Sequence, residues 1–183
     1  MSPRNLWFGL TLAVGIFLDQ ATKAWVSRNL AFGVDEISIV PDWFSLVQAR
    51  NTGAAFSTME GQMAVFHVFT ICCIVAVFVL IRSVERDQRF VPFTLGLILS
   101  GALGNWIDRL RLGYVVDFLK VYCGGYAPLR DWLIERFRTN VWPIFNIADS
   151  LLLIGVSLFA GYYLLQREGQ MADDPEVEAD PAA

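Results

Sequence analysis

Two aspartates stand where they could do chemistry on a peptide bond. Asp117 lies in the β-branched and aromatic run Gly113-Tyr114-Val115-Val116-Asp117-Phe118-Leu119, and Asp149 lies in Asn146-Ile147-Ala148-Asp149, near the start of a long apolar stretch. Two carboxylates that face each other cannot both ionise cheaply, so they share a proton. The charged member can take a proton from a water attacking a peptide carbonyl, while the protonated member donates to the carbonyl oxygen. Taken alone, an acid between valines and a phenylalanine reads as a surface residue of an edge strand. Topology is what singles out Asp117, as the spans below place it at the same membrane face as Asp149.

Further polar residues recur at helical spacing inside apolar segments, where an ionisable side chain costs from about 2.5 kcal/mol upward. Asp19 and Lys23 are four apart, in the acid-before-base order that favours an ion pair. Asn105, Asp108 and Arg109 put an amide, a carboxylate and a guanidinium on one helical turn, and Asn146 and Asp149 are three apart. The first two have plainer readings: a structural ion pair for Asp19 and Lys23, and a polar helix end snorkelling to the interface for Asn105, Asp108 and Arg109. Counted from residue 141, Asp149 sits roughly 10 to 12 Å along its helix, with no basic residue in the stretch 141–165.

The elements that must position these groups are membrane spans. More than half of the 183 residues are apolar, which favours a membrane class over a soluble domain. Segments 6–26, 63–81, 90–107 and 141–165 are each long and apolar enough to cross a bilayer, which takes about 20 residues. A cleavable signal peptide is the rival reading of the first. The sequence Asp19-Gln20-Ala21-Thr22-Lys23 makes a poor small-residue cleavage site, so the segment is expected to be retained.

By parity, the long connections 27–62 and 108–140 share one membrane face with the polar sets above. The first is expected to hold short strands around Pro41-Asp42, and the second an interfacial amphipathic helix over 129–138. The distribution of Lys and Arg does not decide which face this is.

The formal charge of −4 belongs to the C-terminus, where Glu168, Asp173, Asp174, Glu176, Glu178 and Asp180 cluster; the rest of the chain is mildly basic. This distribution gives no support to a nucleic-acid partner. Cys72 and Cys73 are adjacent in an apolar run and Cys123 stands alone, so no disulfide framework is visible. One histidine, His67, and no paired Cys spacing leave no ligand set for a metal, and no cofactor is expected.

Together the blocks Asp19-Gln20-Ala21-Thr22-Lys23, Asn51-Thr52-Gly53-Ala54-Ala55-Phe56, Gly101-Ala102-Leu103-Gly104-Asn105-Trp106-Ile107-Asp108-Arg109, Gly113-Tyr114-Val115-Val116-Asp117-Phe118 and Phe145-Asn146-Ile147-Ala148-Asp149-Ser150 resemble the signature blocks of bacterial lipoprotein signal peptidases (signal peptidase II), in family order. The resemblance implies an aspartic endopeptidase with Asp117 and Asp149 as catalytic dyad. It implies that Asp19, Lys23, Asn51, Gly53, Asn105, Asp108, Arg109 and Asn146 bind substrate or support the site. The implied substrates are prolipoproteins, cut just before a diacylglyceryl-modified cysteine at the outer face of the bacterial inner membrane. Cytoplasmic termini, contact with membrane lipids, action as a monomer and sensitivity to globomycin are implied with it.

The fold expected is an all-α membrane bundle of four transmembrane helices with a small extracytoplasmic β-rich and amphipathic element. Residues 1–167 would form the peptidase domain and 168–183 an acidic, disordered cytoplasmic tail. The stretch between the two aspartates is longer than the family usually shows. A proton-coupled transporter is the alternative from another class, weakened by the lack of an internal repeat; a non-catalytic four-helix scaffold leaves the one-sided polar residues without a reason.

Overall fold

The computed structural model describes residues 1–53, 63–125 and 127–172. In chain order these form α1 (Pro3–Asn29), β1 (Glu36–Val40), β2 (Phe44–Asn51), α2 (Met63–Ser83), α3 (Phe90–Leu112), β3 (Val115–Val121), α4 (Ala127–Phe137) and α5 (Ile147–Ala172). The remainder of the Asn51–Phe56 block, at Ala54, Ala55 and Phe56, lies outside the described residues, as does the tail from 173 onward.

Helix ends follow local chemistry. The Ser2 hydroxyl accepts from the Asn5 N–H and Pro3 opens α1, where a missing amide proton costs nothing. Gly113, at φ 77°, ends α3 in the left-handed conformation, its N–H donating to the Arg109 carbonyl.

Helices α2, α3 and α5 are long and apolar enough to cross a membrane. The most apolar of them, α2, is also largely uncovered by protein, with Val68, Phe69, Val75 and Val79 facing outward. Such a surface, on a helix of spanning length, suits contact with lipid. Helix α1 does not reach the same apolarity, because Asp19, Gln20, Thr22 and Lys23 interrupt it. The bundle therefore has three candidate spans rather than four established ones, and it carries a three-stranded sheet besides its helices.

Helix α3 sits at the centre, flanked by α1, α2 and α5, and glycines set how closely its neighbours approach. A Cβ on Gly101 would collide with the Ala148 carbonyl oxygen and the Leu152 backbone of α5; one on Gly104 would meet the Asp19 carboxylate of α1. The obstacle at Gly101 is backbone, so it cannot rotate away. Gly101→Ala is expected to push α5 from α3 and destabilise the fold by about 1–3 kcal/mol, read as a lowered melting temperature in detergent. An unchanged melting temperature would mean that the two helices pack less tightly than described.

The sheet has order β1-β2-β3, antiparallel throughout, with a bulge in β2 between Leu46 and Ala49. Beyond the bulge, Ala49 stands opposite Asp117 and Asn51 opposite Val115. Val116 and Phe118 on β3 bury against Val26 and Leu30 at the end of α1, which fixes the sheet to the bundle. Helix α4 forms where amphipathic character predicts it, with Leu133 buried and Ile134 exposed.

The fourth helix begins later than hydropathy suggests. Residues 141–146 run extended beside β3, with Phe145 bridging Leu119 and Val141 bridging Tyr122, and α5 starts at Ile147. Pro143 is the reason for this: it biases Trp142 toward extended backbone and has no N–H to donate. Asp149 therefore lies in the first turn of α5, not two turns in.

Candidate active site

Asn146 caps α5 reciprocally with Asp149. The Asn146 Oδ1 accepts from the Asp149 N–H at 3.0 Å, and the Asp149 Oδ2 accepts from the Asn146 N–H at 3.2 Å. This is the geometry of a capping box, here closed by aspartate. The same Asn146 amide donates from Nδ2 to the Asp117 Oδ1 at 2.6 Å, so one fully buried side chain ties both aspartates together. Its Nδ2 also lies 3.0 Å from the Asn105 Oδ1 and 3.3 Å from the Val116 carbonyl.

Asp117 is 2 % exposed, on the strand that the bulge in β2 brings beside Asn51. Asn51 donates from Nδ2 to the Asp117 Oδ2 at 2.9 Å, while its Oδ1 accepts the Gly53 N–H at 3.0 Å. The Gly53 contact orients the amide, leaving its donor end toward the carboxylate. Burial, and after it the charge of Asp149, pushes the Asp117 carboxyl up to about 7, against the opposing hydrogen bonds from Asn51 and Asn146.

Beneath the two aspartates lies a buried ion cluster. Lys23 Nζ is 2.9 Å from the Asp19 Oδ2, 3.0 Å from the Asp108 Oδ2 and 2.9 Å from the Asn105 Oδ1, one acceptor for each of its hydrogens. With its oxygen held by Lys23, Asn105 turns its Nδ2 to the Asp149 Oδ1 at 2.7 Å. Asp19 Oδ1 accepts the Ala148 N–H at 3.0 Å, placing a carboxylate at the N-terminus of α5, where the helix dipole favours it. Asp108 Oδ2 accepts the Val116 N–H at 3.1 Å, and thereby joins α3 to β3.

The structure thus brings Asp19, Lys23, Asn51, Gly53, Asn105, Asp108, Asp117, Asn146 and Asp149 into one connected network. Arg109 is placed at its edge: its guanidinium lies 4.1 Å from the centre of the Phe66 ring on α2, and it feels the charges of Asp149 and Asp117. Among the described residues, no buried side-chain nitrogen or oxygen lacks a partner, as a low-dielectric site demands.

Sequence reasoning missed Gln20. Its Nε2 reaches the Asp19 Oδ2, the Asp108 Oδ1 and the Gly104 carbonyl at 3.1, 3.1 and 3.2 Å, closing the cluster between α1 and α3. The signal was present, since Gln20 is a polar residue at membrane depth three positions before Lys23. His67 was also left aside; its Nδ1 accepts from Trp106 Nε1 at 2.9 Å and links α2 to α3.

Apolar concavities flank the carboxylates. A cavity of about 420 Å³ is lined by Phe66, Phe69, Ala102, Asn105, Arg109 and Leu152. Another of about 370 Å³ is lined by Trp142, Phe145, Asp149, Leu153 and Ile154. A polar centre between lipid-facing grooves can hold an apolar chain while presenting a bond to the carboxylates.

The signal peptidase (SPase) II family model matches residues 11–165. The chain is 39% identical over 163 residues to the lipoprotein signal peptidase of Geobacter metallireducens, spanning 87% of this chain and 91% of that one. To the lipoprotein signal peptidase of Enterococcus faecalis it is 36% identical over 161 residues, spanning 87% and 88%. Two solved structures of bacterial membrane enzymes, determined by the in meso method, superpose with TM-scores of 0.75 and 0.70 at 31% and 32% identity. They cover 88% and 86% of this chain and 90% and 92% of their own. Sequence, family model and fold agree along nearly the whole length, and this membrane-embedded chain belongs to the signal peptidase II family of peptidases.

Proposed function

We propose that the protein is an aspartic endopeptidase that removes the signal peptide from diacylglyceryl-modified prolipoproteins, cutting just before the lipidated cysteine. The observation that carries this reading is the pair Asp117 and Asp149, tied together by Asn146 and coupled by charge. The names of the relatives support the substrate class, and the apolar cavities beside Asp149 and Asn105 suit a lipid-bearing peptide.

In the proposed reaction Asp117 holds the shared proton and Asp149 is ionised. A water between them loses a proton to Asp149 as its oxygen bonds to the scissile carbonyl carbon, and Asp117 protonates the carbonyl oxygen. Collapse of the resulting gem-diol breaks the C–N bond. The amide nitrogen takes a proton from Asp149 and leaves as the new amino terminus, and the gem-diol returns a proton to Asp117. Asn51, Asn105 and Asn146 hold the carboxylates in register, Lys23 with Asp19 and Asp108 holds Asn105, and Arg109 lines the larger cavity.

Four spans with both termini cytoplasmic complete the reading, with α1 as the least apolar span. It is supported by the convergence of the end of α1, the end of α3 and the start of α5 on one polar network. Residues 1–167 would be the peptidase domain, 168–183 a cytoplasmic extension into which α5 continues as far as Ala172. Action as a monomer belongs to the same reading.

The test is cleavage by the purified protein of a diacylglyceryl-modified prolipoprotein peptide, with products identified by mass. A single cut before the modified cysteine is expected, with no cut in the unmodified peptide and no loss of rate in chelator. Equal cutting of both peptides, or cutting elsewhere, would overturn the substrate assignment.

A further inference from the structure

A separate concavity opens on the far side of the buried ion cluster, between the ends of α1 and α3. It has a volume of about 230 Å³, and Lys23, Arg28, Arg111, Ser27, Ala24 and Leu112 are among its lining residues. Three of these side chains are basic, and the lining holds one acid, Asp108. The charge of Asp108 is already met by Lys23, Gln20 and the Val116 N–H. By contrast, Arg28 and Arg111 have no hydrogen-bond or ion-pair partner among the described residues, and neither does the Ser27 hydroxyl. Two exposed guanidiniums and an exposed hydroxyl around an open concavity are donors suited to charge-assisted hydrogen bonds with an anion.

The position says which anion. Arg111 and Leu112 close the membrane-spanning helix α3, so the pocket lies at the depth where headgroups meet acyl chains. Its lining divides in the same way, with Arg28, Arg111 and Ser27 as the polar part and Ala24, Leu112 and Val116 as the apolar part. The helix dipole accounts for a basic residue in the last turn of each helix. It does not account for a lined concavity between them.

We propose that this pocket binds the phosphodiester headgroup of an anionic glycerophospholipid, with Arg28 and Arg111 on the phosphate and Leu112 against the start of an acyl chain. The site is separate from the carboxylate pair, yet Lys23 and Asp108 belong to both: they form the pocket's floor and hold Asn105 toward Asp149. A bound lipid would therefore stiffen the support of the catalytic centre from behind.

The test uses the full chain in a neutral detergent, titrated with dioctanoyl phosphatidylglycerol, dioctanoyl phosphatidylcholine or inorganic phosphate, with melting temperature as the readout. A saturable rise is expected with phosphatidylglycerol alone. In Arg28→Gln/Arg111→Gln the apparent affinity should weaken about tenfold or more, the loss expected for two interfacial charges; Arg28→Lys/Arg111→Lys should retain most of it. If the double glutamine variant does not fold, each single variant carries the test with a smaller loss. An equal response to phosphatidylcholine, or an unaltered response in the glutamine variants, would overturn the proposal. A response to phosphate matching that to phosphatidylglycerol would mean an ion site and not a lipid site. The readout requires no peptide cleavage, so its failure and the failure of the peptidase reading are distinguishable.

Discussion

Asp149→Asn and Asp117→Asn are each expected to lower cleavage of the lipidated peptide by about a thousandfold or more, at the upper end of what one general acid or base contributes. Asparagine matches aspartate in size but can neither accept the water's proton nor give one up. The substitution is not innocent for packing. Both oxygens of each carboxylate accept hydrogen bonds, from Asn51 and Asn146 on Asp117 and from Asn105 and the Asn146 N–H on Asp149. An amide places its NH2 against one of those donors, at a cost of about 1–3 kcal/mol. The melting temperature should therefore fall modestly while activity collapses. Asp131→Asn, at an exposed side chain of α4, is the control and should leave the rate unchanged. Residual turnover within tenfold of wild type in either dyad variant would remove that residue from the chemistry.

The second large effect is expected at Lys23. Lys23→Met leaves the Asp19 and Asp108 carboxylates buried without their shared cation, and breaking a buried pair from one side costs about 3–5 kcal/mol. The same substitution leaves the Asn105 oxygen held by Asn146 alone, which loosens the amide that faces Asp149. Cleavage should therefore be lost along with stability. Lys23→Met/Asp108→Asn should recover part of the stability, because one uncompensated charge is gone, but not the activity. Unfolding in micelles, with cleavage measured in parallel, checks both. A single Lys23→Met variant as stable as wild type would show that the cluster is not the closed network described.

Much of this arrangement was legible in the sequence because polar residues inside apolar segments are costly and must meet. Asp19 and Lys23 were readable as a pair from their spacing, and the end of α3 as a polar turn from Asn105, Asp108 and Arg109. Membership in the signal peptidase II family followed from the motif blocks, and the family model and relatives show it. What spacing could not reveal was the partner across the bundle. That Lys23 also binds Asp108 and Asn105, and that Asp19 caps α5 through the Ala148 N–H, depends on how far α3 and α5 approach α1. Glycines set that approach, and backbone donors carry no side-chain signature. The start of α5 was misread because residues 141–146 are nearly as apolar as the helix, so hydropathy merged them; Pro143 and the Asn146 cap were the local signals against it. The place of α1 as a span is the least legible for the converse reason, since the residues that build the ion cluster also lower its apolarity.

The proton on Asp117 can be measured directly by infrared difference spectroscopy on protein carrying 13C-labelled aspartate, titrated across neutral pH. Because burial and the Asp149 charge raise the Asp117 carboxyl to about 7, its protonated-carboxyl band should be present below that pH and vanish as pH rises through it. Cleavage should fall on the same limb, as the pair becomes two carboxylates with no acid to protonate the carbonyl. In Asp149→Asn the band should disappear at lower pH, since the neighbouring charge is gone while burial remains. A wild-type protein with no protonated aspartate near neutral pH, or a titration that Asp149→Asn leaves in place, would contradict a proton shared between Asp117 and Asp149.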